Sequence, residues 1–362
     1  MKTTPPSRSE AILRSVRGPR SRTDIGSKTN IESKTDIESK TDTRSKTDSH
    51  ATDRHRSLKV LLLTTNAEAT YVRNQVDALA DLGVESDVLE APDRSGSGAR
   101  GPTDYVRFCP RVRDRISGEY DLVHANFGLT IPAGLAQRRV PVVTSLGGTH
   151  LMGRYGFVTK TFARLCAEVI VVSPEMNELL SRDATVIPYG IDVDLFHPIE
   201  TGVARTTVGW EPDAHCVLFP YHPNRHVKNY PKAERVVGEA STRLGEDIEL
   251  KVITGNDYSE MPYYMNAADL LLLTSRREGS PVTVKEALAC NTPVVSTPVG
   301  DVPERVSDLR LSETGNSVDE LAELVCRVLE DDDGERGRDA VWDLRLGRMG
   351  ERILEVYERA LE

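Results

Sequence analysis

From Leu58 onward, short continuous apolar segments alternate with amphipathic ones, and this alternation strongly limits the folds open to the chain. Continuous apolar runs are typical of strands buried on both faces, because a half-exposed strand alternates apolar and polar residues. Strands that alternate with helices form parallel sheets through right-handed crossovers. The first half predicts six such strands: KVLLLTT (59–65), GVESDVLE (83–90), YDLVHAN (120–126), PVVTSLG (141–147), EVIVVS (168–173) and ATVIP (184–188).

The same rhythm restarts in the second half. Strands are predicted at 216–221, 248–255, 268–275, 292–297 and, more weakly, 309–312, with helices near 229–244, 281–290 and 317–330. In the first half, a helix is predicted at 70–82. Between the halves, YGIDVDLFHPIETG has no periodicity and contains Gly and Pro. The sequence therefore predicts an α/β fold of two doubly wound, Rossmann-like parallel-sheet domains facing a cleft. The predicted divisions are domains at 58–189 and 201–335, a linker at 190–200, and a C-terminal helix at 336–362 that returns to the first domain.

Residues 1–57 have a different composition, with 13 Lys+Arg and 8 Asp+Glu. A six-residue unit repeats five times between residues 21 and 50: SRTDIG, SKTNIE, SKTDIE, SKTDTR and SKTDSH. A β-helix needs an aliphatic residue in every unit, and two of these units have none. We predict a disordered tail, because so little apolar surface does not offset the entropy of ordering. A binding arm for an acidic partner is the alternative.

Residues 58–362 carry 33 Lys+Arg against 48 Asp+Glu, a balance that argues against a nucleic-acid partner. This Lys-poor, acid-rich composition suits a halophilic protein whose self-repulsion is screened by salt. No apolar run has the roughly 18 residues of a membrane span, and no signal-like stretch opens the chain, so we expect a cytoplasmic protein. A basic cluster comprises Arg107, Arg111, Arg113 and Arg115. A solvated helix face is favoured, and the alternative is a contact with a polyanionic glycan or with anionic lipid at the inner face of a membrane. The five scattered cysteines imply neither disulfides nor a zinc site.

Two motifs are weaker than they first look. Gly96, Gly98 and Gly101 spell the dinucleotide fingerprint G-x-G-x-x-G, but Pro102 follows directly, so a flexible surface loop is favoured over nicotinamide binding. Asp192 and Asp194 form a D-x-D inside the connector, where a solvated turn is favoured over a metal site.

The segment from 268 to 304 is more specific. A buried strand ends near Ser275, Glu278 follows, and Ser280 and Pro281 are predicted as the N-cap and first residue of a helix. Unpaired N–H groups at this helix start would bind an anion such as a diphosphate. Glu286 lies opposite the apolar stripe of this helix, so it faces solvent or a cleft.

These residues resemble a known family. Glu278 and Glu286, with GSP after the first and AC-x-x-PVVST-x-VGD after the second, resemble the E-x7-E signature of retaining GT-B glycosyltransferases of group 1, in the branch with EGSP and KEALAC. FPYHPNRHVKN (219–229), YGIDVDLFHP, DLVHANFG (121–128) and TSLGGTH (144–150) are also similar to that family. The resemblance covers most of 58–330. It implies a GT-B fold and retaining transfer of a hexosyl unit from a nucleotide-diphosphate sugar to a glycan, lipid-linked or small-molecule acceptor.

The resemblance also implies roles for single residues. Glu278 would contact donor-sugar hydroxyls, Glu286 would hold the ribose, and His124 would line the reaction centre. Arg225 and Lys228 would stabilise the leaving diphosphate, so no metal cofactor is expected. Further candidates are Gly279, Ser280, Pro281, Val282 and Thr283 for the donor, and Asn126, Gly147 and Gly148 on the acceptor side.

The sequence departs from the family pattern in three places. TTNAEAT (64–70) replaces the usual glycine-rich loop, Asn126 replaces a second His, and LSETGNS (311–317) is shortened. His150, His222 and His226 are less favoured as site residues. The alternatives are another GT-B chemistry, such as a sugar-nucleotide epimerase or phosphorylase, or a catalytically silent sugar-nucleotide-binding subunit.

Overall fold

Two parallel β-sheets form the frame of the protein, in a computed structural model that describes residues 57–93, 100–116, 118–153, 155–331 and 334–362. The repeat segment at 21–50 and two glycines of the fingerprint, Gly96 and Gly98, lie outside these residues. Residues from Ser57 to Glu362 belong to one structural unit. No helix in the described part of the chain is long and apolar enough to cross a membrane.

The first sheet contains the six strands predicted for this half, all paired in parallel in the order β2-β1-β3-β4-β5-β6. Their bounds lie within three residues of the predicted ones: β1 (Lys59–Thr64), β2 (Glu85–Glu90), β3 (Leu122–Ala125), β4 (Val142–Leu146), β5 (Glu168–Val171) and β6 (Thr185–Val186).

Helices cover both faces of this sheet, which explains its continuous apolar strands. Leu61 and Leu63 pack in a core with Phe108, whereas Val60 points the other way and packs with Leu79 and Val356. The helices are α1 (Thr70–Ala80), α2 (Pro102–Arg115), α3 (Ile131–Leu135), α4 (Gly148–Met152), α5 (Gly156–Ala163) and α6 (Pro174–Glu178), with a 3₁₀ turn at Gly128–Thr130.

The second sheet repeats the arrangement in the order β11-β10-β9-β7-β8. One prediction is wrong here: the last strand is Glu313–Thr314, not 309–312. Ser312 instead accepts the Val294 N–H through its side-chain oxygen, and the buried Leu311 packs in the core from a loop. The strands are β7 (His215–Phe219), β8 (Ile248–Val252), β9 (Leu270–Leu273), β10 (Val294–Ser296) and β11 (Glu313–Thr314).

Six helices accompany the second sheet. They are α7 (Thr201–Val208), α8 (Tyr230–Leu244), α9 (Met261–Ala267), α10 (Val282–Ala289), α11 (Val302–Val306) and α12 (Val318–Leu329), with 3₁₀ turns at Tyr258–Glu260 and Asp339–Leu344.

The chain crosses between the two lobes twice, and the crossings run side by side. Ile191 N–H donates to the Leu344 carbonyl (2.9 Å), and Leu346 N–H donates to the Ile191 carbonyl (3.1 Å). After the second crossing, α13 (Leu346–Leu361) packs against α1 of the first lobe. Gly350 permits this contact, because a Cβ there would lie 2.9 Å from the Ala78 carbonyl oxygen.

Each sheet reverses its winding direction at one point, between β1 and β3 in the first lobe and between β7 and β9 in the second. In open parallel sheets, ligands bind beyond the carboxyl ends of the strands at such switch points. The loops that follow β7 and β9 are 220–229 and 274–281, which contain Arg225, Lys228 and Glu278. The topology alone therefore brings these three residues together.

Candidate active site

A cavity of about 380 Å³ lies between the loops of the two lobes. Each lobe supplies one wall. The second lobe contributes Arg225, Val227, Arg277, Glu278, Gly279 and Ser280, and the first contributes Thr65, Tyr71, Phe127, Gly147, Gly148, His150, Met152, Val172 and Tyr189.

Lys228 and Glu278 form an ion pair beside this cavity. The Lys228 Nζ donates to Glu278 Oε1 at 2.6 Å, and the same oxygen accepts from the Ser275 hydroxyl at 2.7 Å. The Lys228 ammonium also lies 3.6 Å from the centre of the Tyr221 ring. Burial lowers the pKa of Lys228, and Glu278 opposes that shift. A cation and a carboxylate are thus held in fixed positions at the switch point.

Hydrogen bonds to its main-chain carbonyls hold the loop that carries Lys228. The Thr274 hydroxyl donates to the carbonyls of Lys228 (3.0 Å) and Asn229 (3.2 Å), so the loops after β7 and β9 are tied together. Asn229 has a φ of 57°, a left-handed conformation that Asn tolerates better than most residues. Arg225 is exposed, and its guanidinium lies 5.9 Å from the Tyr221 ring centre.

Glycines permit close backbone contacts beside this cavity, both between the lobes and within the second lobe. A Cβ on Gly148 would lie 3.1 Å from the Gly279 nitrogen, and a Cβ on Gly300 would lie 2.4 Å from the Gly279 carbonyl oxygen. Gly300 also has a φ of 57°. The close backbone approach of Gly147–Gly148 to the loop of Glu278 therefore depends on the absence of side chains.

The predicted helix cap is wrong in detail. Pro281 is the N-cap of α10, and the Ser280 hydroxyl does not cap it. The Ser280 Oγ instead donates to Asp301 Oδ2 at 2.6 Å and accepts from the ammonium of Lys285. That ammonium is fully buried, lies 3.5 Å from Asp301 Oδ2, and donates to the carbonyl of Tyr189, at the end of the first lobe. Burial lowers the pKa of Lys285 to about 8, and Asp301 opposes that shift. Lys285 is therefore a buried cation at pH 7, beneath the Glu278 loop.

Glu286 faces a second cavity of about 390 Å³, which shares Tyr71 with the first. The Glu286 carboxylate is buried and accepts from the Tyr258 hydroxyl at 2.6 Å. Burial raises its pKa to about 7, although Tyr258 and Lys285 act in the opposite direction. The predicted donor residues Val282 and Thr283 line the same cavity, together with Thr70, Asn74, Gly190, Pro220 and Met261.

Neither His124 nor Asn126 is among the described residues that line these two cavities. His124 lies on β3 opposite Leu62 and has no exposed surface. Its Nδ1 lies 2.6 Å from the Tyr357 hydroxyl and 3.1 Å from the Gln75 amide nitrogen, and its Nε2 lies 2.8 Å from the Ser145 hydroxyl. Burial lowers its pKa to about 3. The expectation that His124 lines the reaction centre is therefore not supported, and this neutral imidazole joins β3 to α1 and α13.

Asn126 belongs to the same internal network. Its side-chain amide donates to Gln75 Oε1 at 3.0 Å, and the residue is almost fully buried. The acceptor-side role suggested for Asn126 is likewise unsupported by its position.

His150 lines the cavity, although it was not favoured as a site residue from the sequence. The Gly147 N–H donates to its Nδ1 at 2.8 Å, and its ring stacks edge-on against Phe127 with centroids 4.4 Å apart. Burial lowers its pKa to about 4, against a main-chain hydrogen bond to Ser145, so the ring is neutral near pH 7. The signal that was available is the glycine pair 147–148 two residues before it, which marks a loop that must approach another surface closely.

The D-x-D motif forms a turn, because the Asp192 carboxylate accepts from the main-chain N–H groups of Asp194 (3.0 Å) and Leu195 (2.9 Å). Within the described ranges, no group of three or more His, Cys, Asp or Glu side chains has a geometry that could hold a metal ion.

Family comparison matches both lobes of the chain. Residues 69–195 match Glycosyltransferase Family 4, and residues 225–331 match the family described as Glycosyl transferases group 1. Each lobe is therefore similar to a glycosyltransferase family. The second match includes both glutamates of the E-x7-E spacing and both cations, Arg225 and Lys228.

Curated relatives are about a quarter identical to this chain over the aligned residues. It is 28% identical over 255 residues to D-inositol 3-phosphate glycosyltransferase 2 of Catenulispora acidiphila, with 53% of this chain and 58% of that protein covered. It is 27% identical over 212 residues to the putative teichuronic acid biosynthesis glycosyltransferase TuaC of Bacillus subtilis, with 50% and 54% covered. The chain thus spans less than two thirds of the length of these two relatives.

Solved structures confirm the predicted GT-B fold class. Sucrose-phosphate synthase from Thermosynechococcus elongatus superimposes with a TM-score of 0.69 at 18% identity, covering 83% of this chain and 98% of that one. Anabaena HepE in complex with UDP and glucose superimposes with a TM-score of 0.60 at 17% identity, covering 83% and 99%. At these identities the likeness establishes the fold.

Proposed function

We propose that this protein is a glycosyltransferase that moves a hexosyl unit from a nucleoside diphosphate sugar to an acceptor, with retention of anomeric configuration. The observation that carries the proposal is the Lys228–Glu278 pair at the switch point of the second sheet, with Arg225 at the same cavity. Cleavage of a sugar–phosphate bond needs cations for the diphosphate and a hydrogen-bond acceptor for the sugar, and this cavity offers both.

In the proposed reaction, Arg225 and Lys228 stabilise the negative charge that grows on the leaving diphosphate. Groups that are fixed before the reaction stabilise a transition state without reorganising during it, and Lys228 is held by Glu278 and the Tyr221 ring. The Glu278 carboxylate accepts hydrogen bonds from the sugar. Glu278 lies on one of two loops that are hydrogen-bonded to each other, which keeps it close to the diphosphate site.

The second cavity would hold the nucleoside. The ionised Glu286 carboxylate can accept two ribose hydroxyls, while Tyr258 occupies one of its oxygens and fixes its orientation. Because its pKa is raised to about 7, the carboxylate is largely ionised only above neutral pH. Nucleotide affinity should therefore fall as the pH drops below about 7.

The acceptor would enter from the first lobe, past Gly148 and His150. The Nδ1 of neutral His150 accepts the Gly147 N–H, so its Nε2 carries the ring proton. This arrangement would place a hydrogen-bond donor on the wall opposite Glu278.

The first test of the proposal is binding, followed by turnover. Thermal shifts with a panel of nucleoside diphosphates and their sugars should identify a donor, because a ligand at 100 times its Kd stabilises the folded state by about 2.7 kcal/mol. UDP and UDP-glucose belong in that panel. NMR of the transfer product should then show the anomeric configuration of the donor.

The matched variants are the double change Arg225→Ala and Lys228→Ala, with Arg235→Ala as an exposed control on α8. The double variant should lose roughly a hundredfold or more in kcat, the scale of removing one preorganised charge-stabilising donor. Unchanged turnover in the double variant would refute the diphosphate assignment. Nucleotide release that needs no acceptor would favour an epimerase or phosphorylase instead.

A further inference from the structure

A separate groove of about 340 Å³ lies on the first lobe, between α2 and α5. Its walls are almost entirely apolar. They comprise Pro102, Tyr105, Val106, Cys109, Leu129 and Pro132 on one side, and Tyr155, Phe157, Val158 and Phe162 on the other, with Arg100 at one end.

Two apolar side chains of this groove are largely exposed to solvent. Val106 and Phe157 are each 70% exposed, which is unusual for apolar residues that flank the same depression. Arg100 is the one charged residue that lines the groove in the described ranges, and its guanidinium already bonds Glu90 (2.7 Å) and the Ala91 carbonyl (2.9 Å). An occupant of this groove therefore finds apolar contact but few hydrogen-bond partners.

The groove borders the reaction cavity. The Tyr105 ring lines the groove and stacks on Phe127 with centroids 6.4 Å apart. Phe127 lines the cavity and contacts His150 at 4.4 Å. This stacked pair of rings places a residue that lines the groove against a residue that lines the cavity, so one elongated molecule can contact both.

The charge around the groove differs from that of the chain as a whole. Helix α2 forms one wall and carries exposed Arg107, Arg111, Arg113 and Arg115, whereas residues 58–362 are strongly acidic. Arg113 follows Val106 by seven residues and so lies two helical turns along the same face as the groove. The other three arginines lie on other faces of the helix. An exposed cation beside an apolar groove is complementary to an anionic amphiphile.

We propose that this groove binds the alkyl chain of an anionic, amphiphilic acceptor whose polar head enters the cavity beside Glu278. The inference deepens the proposed function and rests on it, since it names the acceptor class for the same reaction. A glycan is disfavoured as the occupant, because its hydroxyls would lose hydrogen bonds to water without replacement by these walls. An alkyl chain loses nothing by the same transfer and gains burial.

The test measures chain binding separately from nucleotide binding. A dansylated undecanoic acid serves as the fluorescent probe, and octanoate, decanoate and dodecanoate compete with it below their critical micelle concentrations. Each fully buried methylene should tighten binding by about fourfold. Val106→Ser and Phe157→Ser should weaken dodecanoate binding at least tenfold. Leu165→Ser is the control, because Leu165 is 65% exposed but does not line the groove.

The outcomes distinguish the two proposals. Nucleotide diphosphate binding should be equal in the wild type and all three variants, and its absence in the wild type would refute the proposed function rather than the groove. Affinity that does not depend on chain length, or that falls equally in Leu165→Ser, would overturn the groove assignment. Binding to phosphatidylglycerol vesicles without saturable binding of single fatty acids would also overturn it, since a bilayer surface would then be the partner.

Discussion

The Glu286→Gln substitution should stabilise the protein at alkaline pH while it weakens donor binding. Glu286 is buried, and burial raises its pKa from 4.5 to about 7. Between these values the folded protein holds a proton that the unfolded chain has released. The stability from this group is therefore complete below pH 4.5 and is lost as the pH rises through 7. The difference corresponds to about 3 kcal/mol.

Glutamine is neutral at every pH and can still accept the Tyr258 hydroxyl, so it removes this cost. The variant should exceed the wild type in stability by about 3 kcal/mol at pH 8 and by less than about 1 kcal/mol at pH 5. Unfolding entropy scales with chain length, and for about 300 residues each kcal/mol shifts Tm by about 1.5 °C. The expected gain in Tm is then about 5 °C at pH 8.

The assay is thermal melting of both proteins at pH 5, 6, 7 and 8, with KM for the donor measured at pH 8. Loss of a charged hydrogen-bond acceptor should raise KM roughly tenfold to a hundredfold. Glu323→Gln is the control, because Glu323 is exposed on α12. A Tm difference that does not grow between pH 5 and pH 8 would refute the electrostatic reasoning, and an unchanged KM would refute the donor contact.

Three further predictions follow from single contacts and from the charge balance. Gly148→Ala places a Cβ 3.1 Å from the Gly279 nitrogen, so kcat/KM should fall at least tenfold with little change in Tm; Gly238→Ala, with no atom within 4 Å of the added Cβ, should leave turnover intact. Tyr357→Phe removes the bond to His124 and should cost about 1 kcal/mol in stability at unchanged kcat; a large loss of kcat would instead indicate a catalytic His124. The acid-rich composition predicts a Tm that rises with salt, which melting curves between low and high salt will check.

The sequence predicted the order of strands and helices well, because the apolar segments are long and uninterrupted. It predicted the meeting of Arg225, Lys228 and Glu278 only through family resemblance and the general rule for switch points. The same continuous apolar strands concealed which face each residue occupies. On β3, Leu122 and His124 point to one face of the sheet and Val123 to the other, and both faces are buried. The apolar pattern of the sequence therefore does not show which face α1 and α13 cover.

The role of Lys285 could not be read from the sequence for a different reason. Lysine is almost never fully buried unless it is paired, and its partners lie on other elements. Asp301 follows β10, and the Tyr189 carbonyl belongs to the end of the first lobe. Only the tertiary arrangement brings these groups together, and it explains why Ser280 bonds Asp301 and Lys285 rather than capping α10.

The two cations of the site differ physically, which bears on how an acidic chain can bind a diphosphate. Lys228 is buried, and the cost of removing its charge from water is offset by Glu278 and the Tyr221 ring before any ligand arrives. Arg225 is exposed and retains a hydrated guanidinium that can adjust to the ligand. A fixed point charge contributes most where charge develops during bond cleavage, whereas an adaptable planar fork contributes most to capture and orientation. Exchange of the two residue types would therefore impair both steps, even though the net charge of the site would be unchanged.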